Sequence, residues 1–167
     1  MFKVGYVFLG IILLTGVVLT GCESASAGAK NGDMVQVNYT GKLTDGTVFD
    51  SSVGRAPLEF TLGNDETIPG FEKAVLGMKV GEKKTVTIPA DEAYPYFDEL
   101  VIAVPRERIR TEAEPVVGQV LSTTGPDGEE IRFTITNISD NGTVTLDGNY
   151  ALAGKDLTFD IELLKIE

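Results

Sequence analysis

Hydrophobic positions alternate from residue 34 onward. In MVQVNYT (34–40), Val35, Val37 and Tyr39 fall on one face and Gln36, Asn38 and Thr40 on the other, the period-two signature of a half-buried strand. Asp45-Gly46 predicts a tight turn, and TVFDSS (47–52) a second short strand. PLEFTL (57–62) alternates again. The period then changes: Phe71, Ala74, Val75 and Met78 recur at helical spacing, with Pro69 near the start and Gly77 near the end of a short helix. KKTVTIP (83–89) returns to strand, and LTFDIELLKI (157–166) sets Leu157, Phe159, Ile161 and Leu163 on one face. One helix among at least five strands predicts an α+β fold with a mostly antiparallel sheet.

Two stretches stand apart. Residues 100–147 carry their own strand patterns: Ile131, Phe133 and Ile135 alternate, as do Val144 and Leu146, with turns at 125–128 and 140–142. A stretch of this length is too long for a structureless loop. It predicts a small β-rich subdomain inserted into the first and anchored at both ends. At the other extreme, Lys3 is followed by 18 uncharged residues, Val4 to Gly21. A basic start and an apolar run read as a secretory signal. ESASAGAK (23–30) is small and polar, and predicts a flexible tether.

Composition narrows the chemistry. The 167 residues include no His, no Trp and a single Cys, at position 22. Without His there is no Ser–His–Asp triad, no imidazole acid–base pair and no His-ligated metal. One Cys forms neither an internal disulfide nor a Cys-cluster metal site. The acidic residues of the inserted stretch (Glu112, Glu114, Asp127, Glu129, Glu130) read as a solvated face, with no calcium-loop spacing among them. No metal or cofactor is therefore expected. A net charge of -11 repels phosphate backbones, so nucleic acid is not an expected partner.

The end of the apolar run, LTGC (19–22), resembles a lipobox, the signal of prokaryotic lipoproteins. That resemblance implies a signal peptide over 1–21, a diacylglycerol on the Cys22 thiol and a tether over 22–30. It places the rest of the chain on the extracytoplasmic face of a prokaryotic membrane, held by acyl chains. The alternative is an uncleaved anchor helix in which Cys22 is incidental.

VNYTGKLTDGTVFDSS (37–52), PLEFTLG (57–63), IPGFEKAVLGMKVGE (68–82), Ala93-Tyr94 and FDIELLKIE (159–167) resemble, in order, the FK506-binding-protein family of peptidyl-prolyl isomerases. The stretch between Tyr94 and Phe159, closed by DGNYALAG (147–154), is similar to the SlyD-type branch, in which an insert-in-flap domain replaces a loop. The resemblance implies a curved antiparallel sheet wrapped on one short helix, with an isomerase domain over 31–99 and 148–167 and a chaperone-like insert over 100–147. It implies catalytic roles for Tyr39, Phe49, Asp50, Tyr94 and Phe159, and substrate binding by Leu58, Glu66, Thr67, Ile68, Phe71 and Leu152. Three positions depart from the family pattern: Thr67 replaces a Val, Phe71 the Trp of the best-known members, and Pro95 a Gly. Taken singly, Phe49, Phe71 and Phe159 read as core residues and Asp50 as an edge residue. Only the joint pattern points to a cleft.

The implied function is a monomeric, membrane-anchored prolyl isomerase that acts on unfolded or partly folded proteins and chaperones them through its insert. The alternative is a catalytically weak holdase on the same fold. Rotation of an X–Pro bond needs no acid, base or metal, only relief of an amide resonance barrier of about 18–20 kcal/mol. The lack of His fits such a chemistry.

Overall fold

The computed structural model describes residues 28–111 and 114–167. Cys22 and the leader reading fall outside the described residues. Two sheets make up the molecule.

The first sheet is built on β1 (Met34–Lys42) and β9 (Leu157–Ile166), which pair antiparallel from Val35↔Ile166 to Lys42↔Thr158. The other edge of β1 is shared. Its start takes β3 (Leu58–Thr61) and its end takes β2 (Val48–Ser51). Beyond β9 lies β4 (Lys83–Ile88), in register from Lys83↔Glu162 to Ile88↔Leu157. Two irregularities in β1, at Gln36/Val37 and Gly41/Lys42, break the ladder and bend the strand. The alternation read from the sequence decides which face is dry: Val35, Val37, Leu157, Ile161 and Leu163 are all at most 2% exposed. Each such side chain removed from water contributes about 1.5–3 kcal/mol.

Helix α1 (Pro69–Val75) covers this face. Pro69 sits at its first turn, where a missing N–H costs nothing. The helical spacing through Met78 predicts one more turn than forms. Leu76 turns to ψ 130° and Gly77 adopts φ +79°, a left-handed value that favours glycine and ends the helix.

The start of the described chain is a second difference. The polar stretch through Lys30 predicts a tether, yet Ala29 is only 3% exposed. Its N–H donates to the Met78 carbonyl at 2.8 Å, and Gly77 N–H donates back to Ala29 at 2.7 Å. Ala29 is therefore part of the folded body: it is small enough to enter the core and is tied there by two backbone bonds.

The second sheet contains β5 (Val101–Pro105), β6 (Val120–Thr124), β7 (Glu130–Ile138) and β8 (Thr143–Asp147), in the order β5-β8-β7-β6. It has its own small core of Ile109, Ile135, Val144 and Leu146. Alternation marks β7 and β8; β5 is a continuous apolar run and β6 turns polar after two residues, so neither stands out by period. Where the chain crosses between the two sheets, Asn149 acts as a clasp. Phe97 N–H donates to its Oδ1 and its Nδ2 donates to the Phe97 carbonyl, both at 2.9 Å. Asp147 accepts from Asn149 N–H at 2.8 Å and from the Tyr96 hydroxyl at 3.0 Å.

Candidate active site

Ten side chains from five elements and two connections meet around a cleft of about 220 Å³ between α1 and the sheet. Tyr39 comes from β1, Phe49 and Asp50 from β2, Leu58 from β3 and Phe159 from β9. Glu66, Thr67 and Ile68 form the lip before α1, Phe71 the floor on α1, and Tyr94 stands after β4. Leu152 is the exception. It packs against the core of the same body but does not line this cleft.

The floor is an aromatic cluster. Phe71 meets Phe159 at 5.2 Å and Tyr39 at 5.8 Å, both near-perpendicular, and Phe60 at 5.9 Å. Phe49 meets Phe159 edge-on at 5.7 Å. Such pairs add about 0.5–1.5 kcal/mol beyond their burial. Gly41, on β1 opposite Phe159, makes room for them: a β-carbon there would lie 2.6 Å from the Phe49 ring and 3.0 Å from Phe159.

One polar edge completes the cleft. The Tyr39 hydroxyl donates to Asp50, whose other oxygen accepts from Arg55 at 2.5 Å. Burial first, and then the bonded Asp50 carboxylate, push the Tyr39 hydroxyl up to about 12. Asp50 is held below the usual carboxylate range by the Tyr39 hydrogen bond and by Arg55. The Tyr39 backbone is fixed as well: its N–H donates to Ser52 Oγ at 2.9 Å, and Ser52 N–H donates to its carbonyl at 3.0 Å. Tyr94 differs. Its hydroxyl has no protein partner among the described residues, and its ring lies 4.8 Å from that of Tyr150. Burial, then Tyr150, pushes its pKa up, so it is a donor at any physiological pH.

The lip is organised from below by Glu72, a carboxylate on α1 only 7% exposed. Its Oε2 accepts from Gly63 N–H at 2.8 Å and its Oε1 from Glu66 N–H at 3.1 Å. Glu72, Arg55, Ser52 and Tyr150 are absent from the residues picked out by sequence. Glu72 reads there as an ordinary first-turn acid of a helix, since a seven-residue helix gives too little period to show which way it points. Thr67 carries a cost: its Oγ1 is buried without a hydrogen-bond partner.

The cleft is largely aromatic and aliphatic, and its lining holds no nucleophile–base pair. A model of the family described as FKBP-type peptidyl-prolyl cis-trans isomerase matches residues 25–108. The short-type peptidyl-prolyl cis-trans isomerase of Methanocaldococcus jannaschii is 38% identical over 154 residues, covering 83% of this chain and 94% of that protein. The FKBP-type 16 kDa peptidyl-prolyl cis-trans isomerase of Escherichia coli K12 is 33% identical over 144 residues, covering 85% and 96%. FK506-binding protein 2 of Yarrowia lipolytica is 55% identical, but over 73 residues, 43% of this chain and 51% of that protein. The chain belongs to the FKBP-type peptidyl-prolyl cis-trans isomerase family.

Proposed function

We propose that this isomerase is held at the outer face of a prokaryotic membrane through Cys22 and acts on unfolded chains that its insert captures. The chemistry is that of the cleft. A prolyl ring enters the space walled by Phe49, Phe71, Phe159, Leu58 and Ile68, and the Thr67–Ile68 lip aligns the substrate backbone. Twisting the X–Pro bond breaks conjugation and makes the amide less polar, so a dry aromatic site binds the twisted state better than water does. The unpartnered Tyr94 hydroxyl donates to the substrate carbonyl. Tyr39 is engaged by Asp50 and serves as wall and as orienter of that carboxylate. An acceleration of a thousandfold needs only about 4 kcal/mol, within reach of several apolar contacts and one hydrogen bond.

The observation that carries this reading is the convergence of ten side chains from five elements and two connections on one cleft. Capture by the insert is supported by its exposed apolar residues, among them Ile102, Val116, Val117, Val120 and Ile131. The membrane tether rests on the lipobox-like LTGC alone. The orphaned Thr67 hydroxyl favours a second reading, a weak catalyst that mainly holds clients.

Refolding of a protein limited by proline isomerisation decides between them. The chain at micromolar concentration accelerates it, and deleting residues 100–147 lowers that rate while leaving activity on a short prolyl peptide. Absence of peptide activity in the intact protein would leave only the holdase. Cys22→Ser is expected to move the protein from the membrane fraction to the soluble one; no change would remove the tether.

A further inference from the structure

The insert carries a groove of about 460 Å³, larger than the catalytic cleft. Ile102, Val104, Leu121 and Phe133 line it on one face of the second sheet. Arg108 and Arg110 also line it, and none of its lining residues is an Asp or Glu. This is unexpected in a chain with 25 acidic and 14 basic residues. The remaining arginines each hold a carboxylate: Arg55 with Asp50, Arg106 with Glu114 and Arg132 with Glu130. Arg108 and Arg110 have no carboxylate partner among the described residues, and both are exposed. Two exposed guanidiniums beside an apolar surface that no acidic side chain lines are complementary to a carboxylate.

The groove is continuous with β6, an edge strand with β7 on one side and no strand on the other. An edge of this kind takes an extended chain running along it, with apolar side chains filling the groove. We propose that the insert selects extended segments in which apolar residues flank an Asp or Glu side chain, read by Arg108 and Arg110. The inference rests on the reading that the insert captures polypeptides and adds the charge of the preferred segment. A planar guanidinium donates two parallel N–H bonds to the two oxygens of a carboxylate, an acceptor pair that amides and amines lack. The net negative charge elsewhere disfavours acidic clients through long-range repulsion, so the preference is local and strongest for a single acid within an apolar run.

The test uses the full chain and three fluorescent peptides of about ten residues, acetylated and amidated, alike except for a central Glu, Gln or Lys. At low salt the Glu peptide is expected to bind at least about fivefold more tightly than the Gln peptide, the scale of two exposed charged contacts. The Lys peptide is expected to bind most weakly. Raising salt narrows the gap. Arg108→Gln with Arg110→Gln removes the gap and leaves Gln-peptide binding unchanged, which also reports that the groove is still folded. Equal binding of all three peptides by the wild-type chain would overturn the acidic preference and leave capture standing. If none binds, capture itself fails, and the preference with it.

Discussion

Replacing Glu72 by glutamine changes one atom and tests how the catalytic lip is held. The carboxylate accepts from Gly63 N–H through one oxygen and from Glu66 N–H through the other. A glutamine keeps one acceptor but turns the second into an NH₂ facing an N–H donor. One charge-assisted bond is lost, worth about 1.5–3 kcal/mol, and a donor–donor contact replaces it. For a domain of this size that predicts a fall in melting temperature of about 5–10 °C. In the proposed function the lip aligns the substrate backbone in ground state and transition state alike, so its loosening is expected to remove uniform binding: KM for a prolyl peptide rises several-fold while kcat changes little. Glu72→Ala, which removes both bonds, is expected to melt lower still. Thermal unfolding by circular dichroism and a steady-state peptide assay report the two effects. Wild-type melting together with wild-type KM in Glu72→Gln would show that the lip stands without this carboxylate, and would refute the reasoning.

Gly41→Ala pushes a methyl group into the Phe49 and Phe159 rings; kcat/KM is expected to fall at least about tenfold, since overpacking by one methyl costs 1–3 kcal/mol at the cleft wall, and unchanged activity would show that the wall yields freely. Thr67→Val replaces the partnerless hydroxyl by a methyl of the same shape, so the melting temperature rises by an amount equivalent to about 1 kcal/mol; a lower melting temperature would mean that the hydroxyl is bonded in solution. Asp50 has a lowered pKa and stays charged until the pH falls below the ordinary carboxylate range, whereas Tyr39 stays protonated until about 12. The contribution of Asp50 to the site is thus present at neutral pH and lost only in strong acid, and kcat/KM is expected to be flat from about pH 5 to 9. An inflection near pH 6–7 in peptide kinetics would contradict this assignment. Tyr94→Phe leaves the wall in place but removes the donor, and kcat is expected to drop by one order of magnitude or more with KM little changed; equal loss in KM alone would make Tyr94 a binding residue only.

Much of the fold can be read from period alone. Strands β1, β4 and β9 bury one face each, and their alternation tells which; β9 lies between β1 and β4, and its inward residues are all buried. What period cannot show is where a short element ends. Helix α1 stops at Val75 because Gly77 adopts a left-handed backbone, and Ala29 enters the core because it is small, although its neighbours look like linker. The cleft was legible only as a joint pattern, since each of its aromatics also satisfies the rules for a core residue. Leu152 was placed on the wall by position in the motif and packs beside it instead, because the return loop presents Tyr150 to Tyr94. The residues that hold the site, Glu72, Ser52 and Arg55, act through backbone and carboxylate contacts. Those contacts depend on loop geometry, not on hydrophobic spacing.

The pairing of β1 with β9 has a consequence for the order in which the molecule forms. The strands of the insert all precede β9 in the chain: β6-β7 and β7-β8 pair neighbours in sequence, and β5 pairs with β8 across the insert. The sheet under the cleft lacks its middle until β9, which follows the insert, lies down between β1 and β4. On a growing chain the insert is therefore complete while the isomerase half still waits for the strand that carries Phe159. Until then β1 and β4 each have an open edge, and the apolar face they share stays uncovered and open to pairing with other chains.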